Sequence, residues 1–110
     1  MFSRPISSAG TLIFVIIWTL ASPSVTANEV GRKVYDAVCF ACHAPSNVMV
    51  SSPKAGDTRE WERRLASSGL DQLTRHATLG IGAMPAKGGC SDCTENQLRE
   101  AIRFMAMGKQ

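Results

Sequence analysis

The residues best suited to chemistry in this chain are Cys39, Cys42 and His43, which stand together as Cys39-Phe40-Ala41-Cys42-His43. Two thiols three positions apart can each add to one vinyl group on the same edge of a porphyrin. The residue that follows then carries its imidazole beneath the metal. The C-x-x-C-H spacing is therefore read as a covalent c-type haem attachment sequence. In that reading Cys39 and Cys42 form the two thioethers, and His43 is the proximal iron ligand. The competing reading is a thiol pair for redox exchange or zinc, with a histidine beside it by accident. An export-type segment ahead of the motif and a second iron-ligand candidate behind it favour haem.

The second axial ligand has to reach the far side of the ring. Met49, Met84, Met105, Met107 and His76 are the candidates. Met105 falls on the apolar face of a helical pattern, where methionine is usually packing. Met107 sits at the end of that pattern, and Met49 is only six residues past His43. His76 falls within a helical stretch, where a lone histidine is usually structural. Met84 lies in Gly80-Ile81-Gly82-Ala83-Met84-Pro85-Ala86-Lys87-Gly88-Gly89. Pro85 restricts the residue before it to extended geometry, which can hold a thioether at a fixed height. Met84 is therefore the expected distal ligand.

Cys90 and Cys93 repeat the C-x-x-C spacing, but Thr94 stands where a histidine would be. The pair lacks a haem ligand. Zinc would need two further ligands, and His76 is the only spare histidine. A thioredoxin-type pair wants a βαβ context, which is missing. An exported domain oxidises such thiols, so a disulfide is favoured. The loop it closes is short, and the chain-entropy gain is only about 2 kcal/mol.

These residues must be positioned by a small domain. The 110-residue chain is 19% charged and 45% apolar, which is ordinary for one globular unit and excludes disorder or collagen. Residues 1–27 read as a signal peptide. Arg4 opens it, and an apolar core follows over residues 12–21. Ten residues are too few to span a bilayer, which needs about 20. Ser22-Pro23-Ser24 breaks the run, and cleavage is expected after Ala27, with Ala21 second and an uncleaved anchor as the rival. Residues 28–110 are then the functional domain. They carry 11 of the 12 basic residues and all 9 acidic ones. A net charge of that size gives no strong field for nucleic acid or anionic lipid.

No strand pattern occurs, and short helices joined by loops are expected. Val30, Val34, Val38 and Ala41 give one apolar face, with Asn28 as N-cap and a helix over about Glu29 to Ala41. Residues 44–56 form a loop that wraps the haem rim. Asp57 and Glu60 open a second helix as a capping box, which Gly69 ends. A third runs from Leu70 to Gly80. Thr94 and Gln97 open the last, with Leu98, Ala101, Ile102 and Met105 as its apolar face and Gly108 as its stop.

Residues 31–105 resemble bacterial cytochrome c5, within the class I c-type cytochromes. The specific part is Gly82-Ala83-Met84-Pro85-Ala86-Lys87-Gly88-Gly89-Cys90-Ser91-Asp92-Cys93, followed by Leu98-Arg99-Glu100-Ala101-Ile102 and Met105. Pro53-Lys54-Ala55-Gly56-Asp57 and Trp61 also resemble the middle of that family. The resemblance implies an all-α class I cytochrome c fold, about four short helices around one covalent haem c. It further implies His/Met ligation and one-electron transport. Redox proteins would then be the partners, such as membrane cytochrome complexes and terminal oxidases or reductases, met in the periplasm. Two other classes remain open. One is a haem-based sensor or small redox enzyme with a labile Met84. The other is a thiol–disulfide oxidoreductase using Cys90 and Cys93.

Overall fold

The computed structural model describes residues 1–3, 10, 21–22 and 24–108. Arg4, Pro23 and the apolar run, apart from its last residue Ala21, lie outside the described residues. Among the described residues no helix is long and apolar enough to cross a membrane. The described chain is helical without a strand, apart from one isolated bridge between Ile81 and Met84.

Helix α1 spans Ala27–Val34. It starts earlier than the expected Glu29, because Thr26 and not Asn28 caps it. The Thr26 hydroxyl accepts from the Glu29 amide, and the Glu29 carboxylate accepts from the Thr26 amide at 2.9 Å. Asn28 has no such partner, since Gly31 stands three residues on and has no side chain. The helix also runs past Ala41. A wide π turn over Tyr35–Cys39 leads without a break into α2, Phe40–His43.

Helix α3 spans Thr58–Leu79, and Gly69 breaks it with φ +75° and ψ 159°. The two halves, 58–68 and 70–79, correspond to the two helices the spacing predicts. Asp57 caps the first, accepting from the Glu60 amide at 3.2 Å. The reciprocal bond of a full capping box is missing, because Glu60 bonds Arg63 and Arg64 instead, at 2.7 Å each. Helix α4, Glu95–Ala106, opens with the Thr94 and Gln97 box that the sequence predicts.

The core lies where α4 crosses α1 and α3. Leu98, Ala101, Ile102, Phe104 and Met105 are buried there against Val34, Tyr35, Trp61 and Ala77. Each large apolar side chain so buried stabilises the fold by roughly 1.5–3 kcal/mol. Close approach of α1 and α4 depends on Gly31, since a Cβ there would strike the Glu100 carbonyl. The Tyr35 ring packs on Phe104, with ring centroids 5.3 Å apart. Asp71 and Arg99 bridge α3 and α4 at 2.6 Å, but Asp71 is largely exposed and the pair contributes little.

Candidate haem-binding site

The attachment turn is built at the end of one continuous helical run. Cys39 closes the π turn and is buried, and burial pushes its thiol up to about 11. Cys42 lies in α2 and is exposed. Among the described residues these two are the free cysteines. Two unpaired thiols less than one helical turn apart, next to a histidine, fit thioether attachment of a porphyrin.

His43 ends α2 and is 92% withdrawn from solvent, at a relative exposure of 8%. Burial holds its imidazole below the usual histidine range and so favours the neutral form that ligates metal. Its Nδ1 lies 2.7 Å from the Pro53 carbonyl oxygen. A carbonyl can only accept, so Nδ1 carries the proton and donates. Nε2 keeps its lone pair. An imidazole oriented through a backbone carbonyl in this way is typical of metal-ligating histidine.

The Pro53 carbonyl is in turn placed by the loop 44–56. Helix α2 leaves carbonyls at its C-terminus that need partners. The loop supplies them. Asn47 Nδ2 donates to the Ala41 oxygen at 2.7 Å, and the Ala55 amide donates to the His43 oxygen at 2.8 Å. Ser52 Oγ and Lys54 Nζ both donate to the Cys42 oxygen, at 2.6 and 3.0 Å. Trp61 Nε1 donates to the Lys54 oxygen at 2.8 Å, which ties the loop to α3. Sequence reading missed Pro53, Ser52 and Lys54 as parts of the site. One signal was present: Lys54 is the only charged residue between positions 44 and 56.

Met84 is held by a tight turn. The Ile81 and Met84 amides each donate to the other residue's carbonyl, at 3.0 and 2.9 Å, across Gly82 and Ala83. Gly80 precedes the turn at φ +84°, and a Cβ there would sit 2.9 Å from the Met84 oxygen and the Ala86 nitrogen. Both the left-handed backbone and the close approach require glycine. The Gly88 amide donates to the Pro85 oxygen at 2.9 Å, and the short 3-10 turn Ala86–Gly89 packs against α3 and the π turn. Met84 is half-buried against the core.

The other candidates are placed elsewhere. Met105 is buried at 4% exposure in the core of α4. Met49 is 90% exposed and Met107 49% exposed. His76 Nε2 lies 2.8 Å from Gln72 Nε2 on its own helix. Cys90 and Cys93 are joined in a disulfide just before the Thr94 cap, with Cα atoms 5.4 Å apart. Intact-mass analysis of the purified protein should show this pair two hydrogens lighter than free thiols. Replacing both with Ser should keep the haem attached and cost no more than about 2 kcal/mol in denaturant unfolding. Two free thiols in protein isolated from an oxidising compartment would count against the pairing.

Comparison with known proteins bears on the whole arrangement. The family model described as cytochrome C oxidase, cbb3-type, subunit III matches residues 26–105. Cytochrome c5 of Ectopseudomonas mendocina is 45% identical over 69 residues, covering 62% of this chain and 77% of that protein. Cytochrome c5 of Azotobacter vinelandii is 39% identical over 77 residues, covering 69% and 90%.

This chain belongs to the cytochrome c5 family.

A solved structure agrees with that placement. A chain of the crystal structure titled electron transfer complex of nitrite reductase with cytochrome c is 40% identical, with a TM-score of 0.60. The match covers 70% of this chain and 90% of that one. The fold is the small class I cytochrome c fold, as the sequence resemblance implies. This cytochrome c5 relative is a monohaem c-type electron carrier with covalently bound haem c as its cofactor.

Proposed function

We propose that this cytochrome shuttles single electrons between redox proteins outside the cytoplasm, with Cys39 and Cys42 as the thioether residues and with His43 and Met84 as the axial ligands. The observation that carries the reading is the 2.7 Å bond from His43 Nδ1 to the Pro53 oxygen, which leaves Nε2 free to ligate. The haem iron, when bound, accepts and releases one electron. The chain's own residues do the rest. In this reading His43 and Met84 would both be engaged in holding the iron, which would leave it no room for a substrate and make the chain a carrier and not an enzyme. Imidazole and thioether suit both oxidation states, and thioether favours the ferrous one.

Partners in this reading are redox proteins, met through small and weak interfaces typical of electron-transfer encounters. The solved relative in a complex with nitrite reductase is one example of such pairing. Export to the periplasm follows from residues 1–27 as a removed segment and residues 28–110 as the carrier domain. Cleavage after Ala27 would also remove the Thr26 cap of α1, at a cost of about 1 kcal/mol. Cleavage at Ala21 would keep it.

A spectroscopic redox titration of the purified holoprotein tests the function. A single reversible one-electron wave is expected, with the reduced spectrum unchanged by carbon monoxide. Carbon monoxide binding to the native ferrous protein would instead favour a sensor or enzyme with an open iron.

A further inference from the structure

The loop 44–56 contains one charge, and the fold places that charge at the attachment turn. The Lys54 ammonium donates to three acceptors at once: Val50 oxygen at 2.8 Å, Ser52 Oγ at 2.9 Å and Cys42 oxygen at 3.0 Å. An ammonium has three N–H donors, so all of them are engaged. Ser52 Oγ accepts from Lys54 and donates its own hydrogen bond to the Cys42 oxygen at 2.6 Å. The Cys42 carbonyl is one of the unpaired acceptors at the C-terminus of α2, where positive charge is favoured.

The residues on either side of Lys54 are those that hold His43. Pro53, just before it, offers the carbonyl to His43 Nδ1 at 2.7 Å. Ala55, just after it, donates its amide to the His43 oxygen at 2.8 Å. The Lys54 carbonyl is itself tied down by Trp61 Nε1 at 2.8 Å. The side chain therefore fastens a three-residue segment to the helix end, and both neighbours of that segment's central residue bond His43. A displaced Pro53 carbonyl would release the Nδ1 proton and free the imidazole to turn about its own axis.

The geometry points to Lys54 as the positioning residue of the proximal ligand: its ammonium, locked onto Cys42, Val50 and Ser52, holds the Pro53 carbonyl against His43. This role rests on the reading of His43 as iron ligand. Charge alone does not fulfil it. Arginine presents a planar fork of donors and does not match three acceptors converging on one point.

The test uses the ferrous holoprotein, which is diamagnetic, and follows by NMR the solvent exchange of the His43 Nδ1 proton. Amide exchange of Leu98, Ala101 and Ile102 in α4 is the internal control. Wild-type spectra come first. If the ring-current-shifted axial histidine signals do not belong to His43, the ligand reading fails, and the role of Lys54 falls with it before any variant is made. Given that assignment, Lys54→Met should speed Nδ1 exchange by about tenfold or more, the equivalent of losing one or two hydrogen bonds, with α4 exchange unchanged. Lys54→Arg should speed it nearly as much despite keeping the charge. Ser52→Ala removes one of the three acceptors and should speed it by roughly threefold; it gives the same comparison should Lys54→Met not fold. Unchanged Nδ1 exchange in these variants overturns the role. So does an equal acceleration in α4, because Lys54 would then contribute only to general stability.

Discussion

Met84→Ala should remove the weak sulfur-to-iron charge-transfer band at the red end of the ferric spectrum. The same change should open the ferrous iron to carbon monoxide. The reduction potential should fall by on the order of 100 mV or more, since the axial ligand tunes haem over about 0.8 V. The structural grounds lie in how the residue is held. Met84 sits in a two-residue turn closed by paired amides to Ile81, entered through Gly80 at φ +84°. The rival methionines are either packed in the core or exposed at 90% and 49%. Met84→His should keep six-coordination and also lower the potential, because imidazole favours ferric iron more than thioether does. Met105→Leu is a swap of similar volume in the core of α4. It should leave the spectrum unchanged and cost under about 1.5 kcal/mol. If Met84→Ala keeps the band while a change at Met105 or His76 alters ligation, Met84 is not the distal residue.

Replacing Cys39 and Cys42 together with Ala should abolish covalent haem, read as loss of haem on a denaturing gel and as loss of the corresponding intact mass. The small apo chain should also lose most of its helix, read by circular dichroism. The physical reason is the size of the core. Among the described residues the buried set is about a dozen apolar side chains, and much of it lies in α4 and the residues facing it. A domain this small buries a modest fraction of its surface and has a marginal core without a further apolar group. Single replacement at Cys42, which is exposed, should disturb packing less than replacement at Cys39, which is buried. Covalent haem retained in the double variant would remove the attachment assignment.

Much of the architecture is legible in the order of residues, and the legible parts share one cause. Helix ends are set by bonds between residues three apart. Thr94 with Gln97 is such a pair, and Asp57 with the Glu60 amide is another. Gly69 and Gly80 mark the two ends of the second half of α3, because both adopt positive φ that other residues resist. The spacing of Cys39, Cys42 and His43 belongs to the same class, since C-x-x-C-H is a local pattern. Where local reading failed, a local competitor had been overlooked. Asn28 is a good cap type, but Thr26 has Glu29 three residues on and Asn28 has only Gly31.

The sequence by itself thus determined the attachment motif, the break at Gly69 and the start of the last helix at Thr94. Tertiary structure alone decided how His43 is oriented and what surrounds it. The Pro53 carbonyl is ten residues from His43, and Lys54 is twelve from the Cys42 carbonyl it bonds. Glu100, whose carbonyl demands glycine at position 31, lies at the other end of the domain. No propensity or spacing rule names such partners. They are chosen by the path of a loop that has no period of its own, and that path is set by the carbonyls left open at the end of α2 and by the crossing of α1 and α4.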